Sequence, residues 1–335
     1  MITKKENHSV KKFSALMAVL FGGALLSLGF QGVLSSAIPF KNQGASLAEA
    51  SPEQKKVAED PFAKITLEAR AVFVYDLTTG KTLFSKNENE KLPLASITKI
   101  MTTLVARDHT SSGMVVTLTK DDLSAEGDTG LRPGERWRMA DLLDVMLIVS
   151  SNDAAHAVAS FVGSNGQSIS EGDEAVARTQ FIKMMNEKAH QLGFNSMEFF
   201  NESGLDISGV VNERGTKNAR DTAGGYGSAR DVSLLFSELW KKYPTAVEIT
   251  THKDARITSQ NGIAHILPNT DEALGHFPGV IGSKTGYTTL AGGNLAIIFD
   301  VGIGHPVVAV VLGSTYNGRF EDMVKLVKAT LKTLK

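Results

Sequence analysis

Apolar residues come in two kinds of run along this chain. The first is a single block at the extreme N-terminus, from Phe13 to about Leu34, broken only by Ser14, Ser27 and Gln31 among small and apolar residues. Lys4, Lys5, Lys11 and Lys12 precede it. Read as a helix, the block approaches the roughly 20 residues that cross a bilayer, and the flanking lysines would hold the N-terminus in the cytoplasm with the rest outside. Small-residue sites at Ser35-x-Ala37 and Ala48-x-Ala50 suit a processing peptidase. Residues 1–39 are therefore predicted to be a cleaved signal peptide or an uncleaved membrane anchor. Residues 40–64, mostly Ala, Ser, Glu, Lys and Pro without apolar period, predict a flexible linker.

The second kind is periodic and begins near Ile65. Arg70–Leu77 is rich in β-formers, and a Thr78-Thr79-Gly80-Lys81 turn joins it to Thr82–Ser85, which predicts a hairpin. From Ser96 to Arg107 the spacing of Ile97, Ile100, Met101, Leu104 and Val105 is helical. Asp141–Val149 and Asp153–Val162 predict two helices around Ser150-Ser151-Asn152, and helical patterns recur at Val176–Leu192 and Val232–Lys242. Val280–Tyr287, Asn294–Val301 and Val307–Gly313 then predict three strands. A last helix, Arg319–Leu334, aligns Phe320, Met323, Val324, Val327 and Leu331. Strands at both ends with helices between them predict an α+β fold. Its antiparallel five-stranded sheet joins the first hairpin to the last three strands, flanked by helices and an all-helical subdomain. Ile207–Gly227, rich in Gly and Asn, predicts a long surface loop.

Composition narrows the function by exclusion. Lys+Arg 35 against Asp+Glu 36 gives no field that would attract nucleic acid. With Cys 0 there is no disulfide, thiolate ligand or cysteine nucleophile. None of the eight histidines forms H-E-x-x-H or another close ligand pair, so they read as surface or core residues.

Three short motifs carry candidate chemistry. Ser96-Ile97-Thr98-Lys99 stands where a loop enters a helix, and residues three apart share a face. A serine hydroxyl needs a base, and a lysine serves once burial or a positive neighbour lowers its proton affinity. The bare pattern is weak, because Ser9-Val10-Lys11-Lys12 matches it too and S-x-x-K is commonly an N-cap followed by a solvated lysine. Ser150-Ser151-Asn152 could relay a proton and bind a peptide carbonyl, or simply cap the next helix. Ser85-x-Asn87 and Ser259-x-Asn261 match that pattern as well. Lys284-Thr285-Gly286 lies in a predicted strand after Gly282, where glycine would admit a second backbone; the plain alternative is an edge-strand lysine and a turn.

The order of the motifs changes the picture, since S-x-x-K, S-x-N and K-T-G in succession mark penicillin-binding proteins and class A β-lactamases. Beyond the triplets, Leu94–Thr102, Met146–Ala155, Asn201–Asp206, Ser228–Asp231, Asn269-Thr270 and Gly282–Thr288 together resemble the serine D-alanyl-D-alanine carboxypeptidase family. These are the low-molecular-mass penicillin-binding proteins of peptidase family S11, and the likeness runs from about Ile65 to the C-terminus. It implies a β-lactamase/transpeptidase-like fold and an acyl-enzyme hydrolase of peptidoglycan stem peptides ending in D-Ala-D-Ala. It implies Ser96 as nucleophile, Lys99 as its base and Ser150 in the proton network. Asn152, Lys284, Thr285, Gly286 and Tyr287 would bind substrate, with Thr285 holding the terminal carboxylate. The backbone amides of Ser96 and Tyr287 would form an oxyanion hole. β-Lactams are implied as covalent inhibitors, and no metal or other cofactor is implied.

Residues 65–335 are thus expected to form the catalytic domain. The second β-rich domain of many relatives is expected to be missing, and the membrane is expected to be reached through the N-terminal segment. Three rivals remain. A DD-endopeptidase would cut cross-links with the same site. A β-lactamase would need a deacylating Glu in an E-x-x-L-N segment, to which Glu202-Ser203-Gly204-Leu205-Asp206 comes close with Asp in place of Asn. An inactive wall-binding homologue would keep the fold alone.

Overall fold

A computed structural model describes residues 60–167, 172–209, 220–302 and 304–334, all within one unit spanning residues 57–335. The predicted export segment, residues 1–39, lies outside the described residues, as does the linker up to residue 59. Among the described residues no helix is long and apolar enough to cross a membrane.

A five-stranded antiparallel sheet runs in the order Val280–Thr288, Gly292–Asp300, Pro306–Ser314, Ala71–Asp76, Lys81–Lys86. The first hairpin and the last three strands meet as predicted, with Ala71 opposite Leu312 and Gly286 opposite Asn294. The helices are α1 (Lys99–His109), α2 (Met139–Ile148), α3 (Asn152–Gly163), α4 (Glu174–Gln191), α5 (Ala229–Lys242), the short α6 (Thr245–Glu248) and α7 (Gly318–Thr333).

Strand side chains alternate between faces, and here both faces are covered. Phe73, Ala296, Ile298, Val308 and Val310 pack into a core shared with α1, α2, α3 and α5. Val72, Val74, Leu295, Ile297, Val307, Ala309 and Val311 pack into a second core under α7. That double burial is why the central strands read as unbroken apolar runs rather than as half-buried alternation. On α7 the buried stripe is Phe320, Met323, Leu326 and Val327; Val324 and Leu331 are only partly buried, so Leu326 belongs in the predicted stripe and they belong at its edge.

Three readings change. Ser96 does not open an α-helix. It sits in a 3-10 turn, Ala95–Thr98, after Ala95 adopts a left-handed φ of 49°, and α1 starts only at Lys99. The Ile207–Gly227 stretch is not all loop, because Ile207 bridges Thr222 and Gly225–Gly227 is a strand between Leu92–Pro93 and Glu198–Phe199; residues 210–219 lie outside the described set. A hairpin of Asp254–Thr258 and Ala264–Pro268 was not predicted. Its second strand inverts the usual pattern, with Ile266 exposed and His265 buried, and the first strand is only half-buried, so neither registered as a strand.

Candidate active site

Elements far apart in sequence converge on one cluster. The 3-10 turn presents Ser96, partly exposed, while Lys99 at the head of α1 is completely buried. In a 3-10 turn residues three apart eclipse one another, and Lys99 Nζ lies 3.0 Å from Ser96 Oγ. It also lies 2.7 Å from Asn152 Oδ1 and 2.8 Å from the Ser203 carbonyl oxygen. Those last two oxygens can only accept. A neutral amine has two N–H bonds to give them and one lone pair left, which faces the serine hydroxyl. Burial lowers the Lys99 pKa to about 7, against the opposing charge of Glu202.

Between α2 and α3, Ser150 takes a left-handed φ of 60°, a conformation that costs a non-glycine residue about 1–3 kcal/mol. The neighbouring Ser151 supplies the cap, its hydroxyl accepting from the Ala154 amide. Cap and site roles thus fall to adjacent serines. Ser150 is left to accept from Lys284 Nζ at 2.9 Å, and Lys284 also donates to the Thr285 carbonyl at 2.9 Å. Asn152 spends both ends of its amide on the protein: Oδ1 on Lys99, and Nδ2 on the Glu126 carbonyl at 2.7 Å. In this arrangement it orients Lys99, with both ends of its amide engaged by the protein.

Lys284 is buried on the sheet's edge strand, its pKa pushed well below the usual range by burial and then by the charges of Lys99 and Arg319. The Thr285 hydroxyl meets Thr270 Oγ1 at 2.6 Å. Gly286 backs directly onto the nucleophile turn, where an added Cβ would fall 2.9 Å from the Leu94 carbonyl oxygen and 3.2 Å from the Ser96 nitrogen. Its role is this close approach of two backbones. Gly282, read from sequence as room for a second backbone, instead faces Val247 and Phe236 side chains. Tyr287 is half exposed and stands edge-on to Tyr316, ring centroids 5.0 Å apart.

The structure therefore brings Ser96, Lys99 and Asn152 into one set of contacts and Ser150, Lys284 and Thr285 into another. Gly286 joins the two sides. Several participants escaped the sequence reading. Ser203 contributes only a backbone oxygen to Lys99, which no motif displays. Buried Asn294 donates to the Pro93 and Leu94 carbonyls, each at 3.0 Å, and accepts from the Gly313 amide at 2.8 Å, tying the nucleophile loop to the sheet. Its place as a lone amide at the head of the apolar run Leu295–Phe299 was the available signal. Buried Arg319 donates to the Gly286 carbonyl at 3.2 Å, with the Tyr316 ring 4.3 Å from its guanidinium. Among the described residues no group of three His, Asp or Glu side chains is arranged to hold a metal ion.

The sheet, the helical region and this cluster together define the penicillin-binding and DD-transpeptidase class of fold. A solved penicillin-binding protein D2 from Listeria monocytogenes, in its ampicillin-bound form, shares it with a TM-score of 0.62 at 28% identity, covering 79% of this chain and 98% of that one. Residues 54–315 match the D-alanyl-D-alanine carboxypeptidase family, peptidase S11, and the chain belongs to that family. The D-alanyl-D-alanine carboxypeptidase DacB2 of Mycobacterium tuberculosis is 33% identical over 224 residues, which are 67% of each chain. DacF of Bacillus subtilis, a D-alanyl-D-alanine carboxypeptidase, is 30% identical over 250 residues, 73% of this chain and 56% of that protein. The match thus spans between 56% and 67% of the length of these two relatives.

Proposed function

We propose that the protein is a serine-type D-Ala-D-Ala carboxypeptidase that trims peptidoglycan stem peptides through an acyl-enzyme, with residues 65–335 as its catalytic domain and residues 1–39 directing its export to the outer face of the cytoplasmic membrane, the periplasm or the wall. The observation that carries this reading is the Lys99 amine, dry and 3.0 Å from Ser96 Oγ, with its other two neighbours able only to accept.

In the forward step Ser96 Oγ gives its proton to Lys99 and bonds to the carbonyl carbon of the penultimate D-Ala. Backbone amides of Ser96 and Tyr287 stabilise the oxyanion. The C–N bond then breaks, and the terminal D-Ala nitrogen leaves with a proton passed through Lys99, Ser150 and Lys284. Water adds to the Ser96 ester, its proton again taken by Lys99, and releases the shortened peptide. Thr285, beside Lys284 and Arg319, receives the terminal carboxylate. The edge strand offers its free side to an extended peptide. A β-lactam enters the same path, but its leaving nitrogen stays tethered and the ester persists.

Two measurements test this. Mass spectrometry of stem peptides incubated with the protein should show loss of one terminal alanine and no cleavage of cross-links; cross-link cleavage would make it an endopeptidase. Labelling by a fluorescent penicillin should vanish in Ser96→Ala. In the intact protein the labelling rate should rise with pH through about 7, because only the free Lys99 amine accepts the proton. Undiminished labelling of Ser96→Ala overturns the mechanism.

A further inference from the structure

Glu202 and His156 form a buried couple directly behind Lys99 that the reaction path above does not use. Glu202 is 2% exposed, and its carboxylate Oε1 lies 2.5 Å from His156 Nδ1 on α3. Its own carbonyl accepts from Thr102 Oγ1 at 2.6 Å, one turn along α1 from Lys99. The next carbonyl, that of Ser203, accepts from Lys99 Nζ. The Glu202–Ser203 segment is therefore pinned at its side chain by α3 and at its backbone by α1. Its second carbonyl points at the amine.

We propose that Glu202 and His156 are positioning residues for Lys99, fixing the Ser203 carbonyl against the amine and keeping one negative charge close to it. This rests on the reading of Lys99 as the base. The charged and titratable groups facing the couple are Asp153 from α3, Arg178 from α4 and Lys99 from α1. Burial alone would protonate Glu202, but the bond and charge of His156, helped by Arg178, hold its carboxyl below the usual range. The ionised carboxylate in turn opposes the loss of the Lys99 proton. Removing it makes Lys99 release its proton at lower pH. A carboxylate in this place is thus a brake on the base in acid, and it raises the pH at which acylation begins.

The experiment follows the second-order rate of fluorescent-penicillin acylation from pH 5 to 9 in the full chain. Glu202→Gln keeps the size and the hydrogen-bonding capacity but removes the charge. It should move the acid limb to lower pH, giving about a tenfold faster reaction than the parent on the acid side for each unit of movement. His156→Leu reaches the same end by another route, since a buried carboxylate without its donor takes up a proton; it too should move the limb down. His156→Gln restores a donor and should return the limb towards the parent position. An unmoved limb in both Glu202→Gln and His156→Leu, with native thermal melts, overturns the proposal. Should either fail to fold, the other carries the test. Lys99→Ala separates the underlying reading: if it acylates at the parent rate, Lys99 is not the base, whatever Glu202 does.

Discussion

Lys99 stands on the helical side of the site and Lys284 on the sheet side, and both amines are buried beyond the reach of bulk water. Burial lowers the proton affinity of each, yet their surroundings differ in sign. Lys99 has the Glu202 carboxylate nearby, which partly offsets its desolvation and leaves it titrating at about 7. Lys284 feels Lys99 and Arg319, so repulsion adds to burial, and Asp271 only moderates it. A base that must exchange a proton at neutral pH needs desolvation that is only partly offset, so that its proton affinity stops near neutrality. Lys284, which donates to Ser150 and to the Thr285 carbonyl, sits where burial and neighbouring positive charge act in the same direction, so its proton is held far less tightly than usual. The two sides of one site thus set two lysines at different points.

The sharpest break of this comparison is to remove each amine in turn. Lys99→Met should slow penicillin acylation by about 10²–10⁴, the usual worth of a positioned base, while the melting temperature holds or rises. Lys284→Met should cost about 10², at the lower end of that range, with part of the loss in binding of the carboxylate-bearing ligand. Stopped-flow traces over a range of penicillin concentration separate the two. Equal losses confined to the rate constant in both variants would show that the sides do not divide the work.

Next in size is the seam between the two sides. Gly286→Ala puts a carbon 2.9 Å from the Leu94 oxygen and 3.2 Å from the Ser96 nitrogen, so the strand or the turn must shift. Displacement of a reacting group by about an ångström can cost on the order of 10² in rate. The expected result is a large fall in acylation with the Lys99 pH limb in place. A parallel shift of that limb would mean that the helical side had moved as a body. Asn294→Ala loosens the same seam differently, leaving two carbonyls and one amide of the nucleophile loop and sheet without their partner. Each buried orphan costs about 1–3 kcal/mol. Chemical denaturation should report destabilisation of about that size or somewhat more, with a smaller loss of acylation than in Gly286→Ala.

These two sides were not equally legible in the sequence. The sheet side was plain, because strands buried on both faces write the apolar runs Leu295–Phe299 and Val307–Leu312, and Lys284-Thr285-Gly286 lies on the strand just before them. The helical side was legible as motifs, but its mechanics were not. Ser96 falls in a 3-10 turn because Ala95 turns left-handed, and neither residue type announces that. The cap of α3 belongs to Ser151 rather than to Ser150, a choice between adjacent serines that only backbone geometry makes. The motif gives Asn152 as a side chain at the site, but not that its amide spans Lys99 and the Glu126 carbonyl. Glu202 only comes close by spacing to a β-lactamase deacylation base; its partner His156 is 46 positions away by residue number, and local patterns carry no signal for such a pair. Contacts through backbone oxygens, as from Ser203 to Lys99, have no residue type to read at all.

The smallest effect tests the sign of the sheet side alone. Arg319 is buried next to the Gly286 carbonyl and repels a proton on Lys284. Arg319→Gln keeps a donor for that carbonyl but removes the charge, so Lys284 should hold its proton to higher pH than in the parent. Heteronuclear NMR of lysine side chains labelled with ¹³C and ¹⁵N can follow this directly. Glu202→Gln removes a charge of the opposite sign from the other side, and Lys99 should then titrate lower. The two substitutions are formally alike, each trading a charge for an amide, yet they should drive two buried amines in opposite directions. If both lysines move the same way, desolvation rather than the local sign of charge governs the site, and the distinction between its two sides falls.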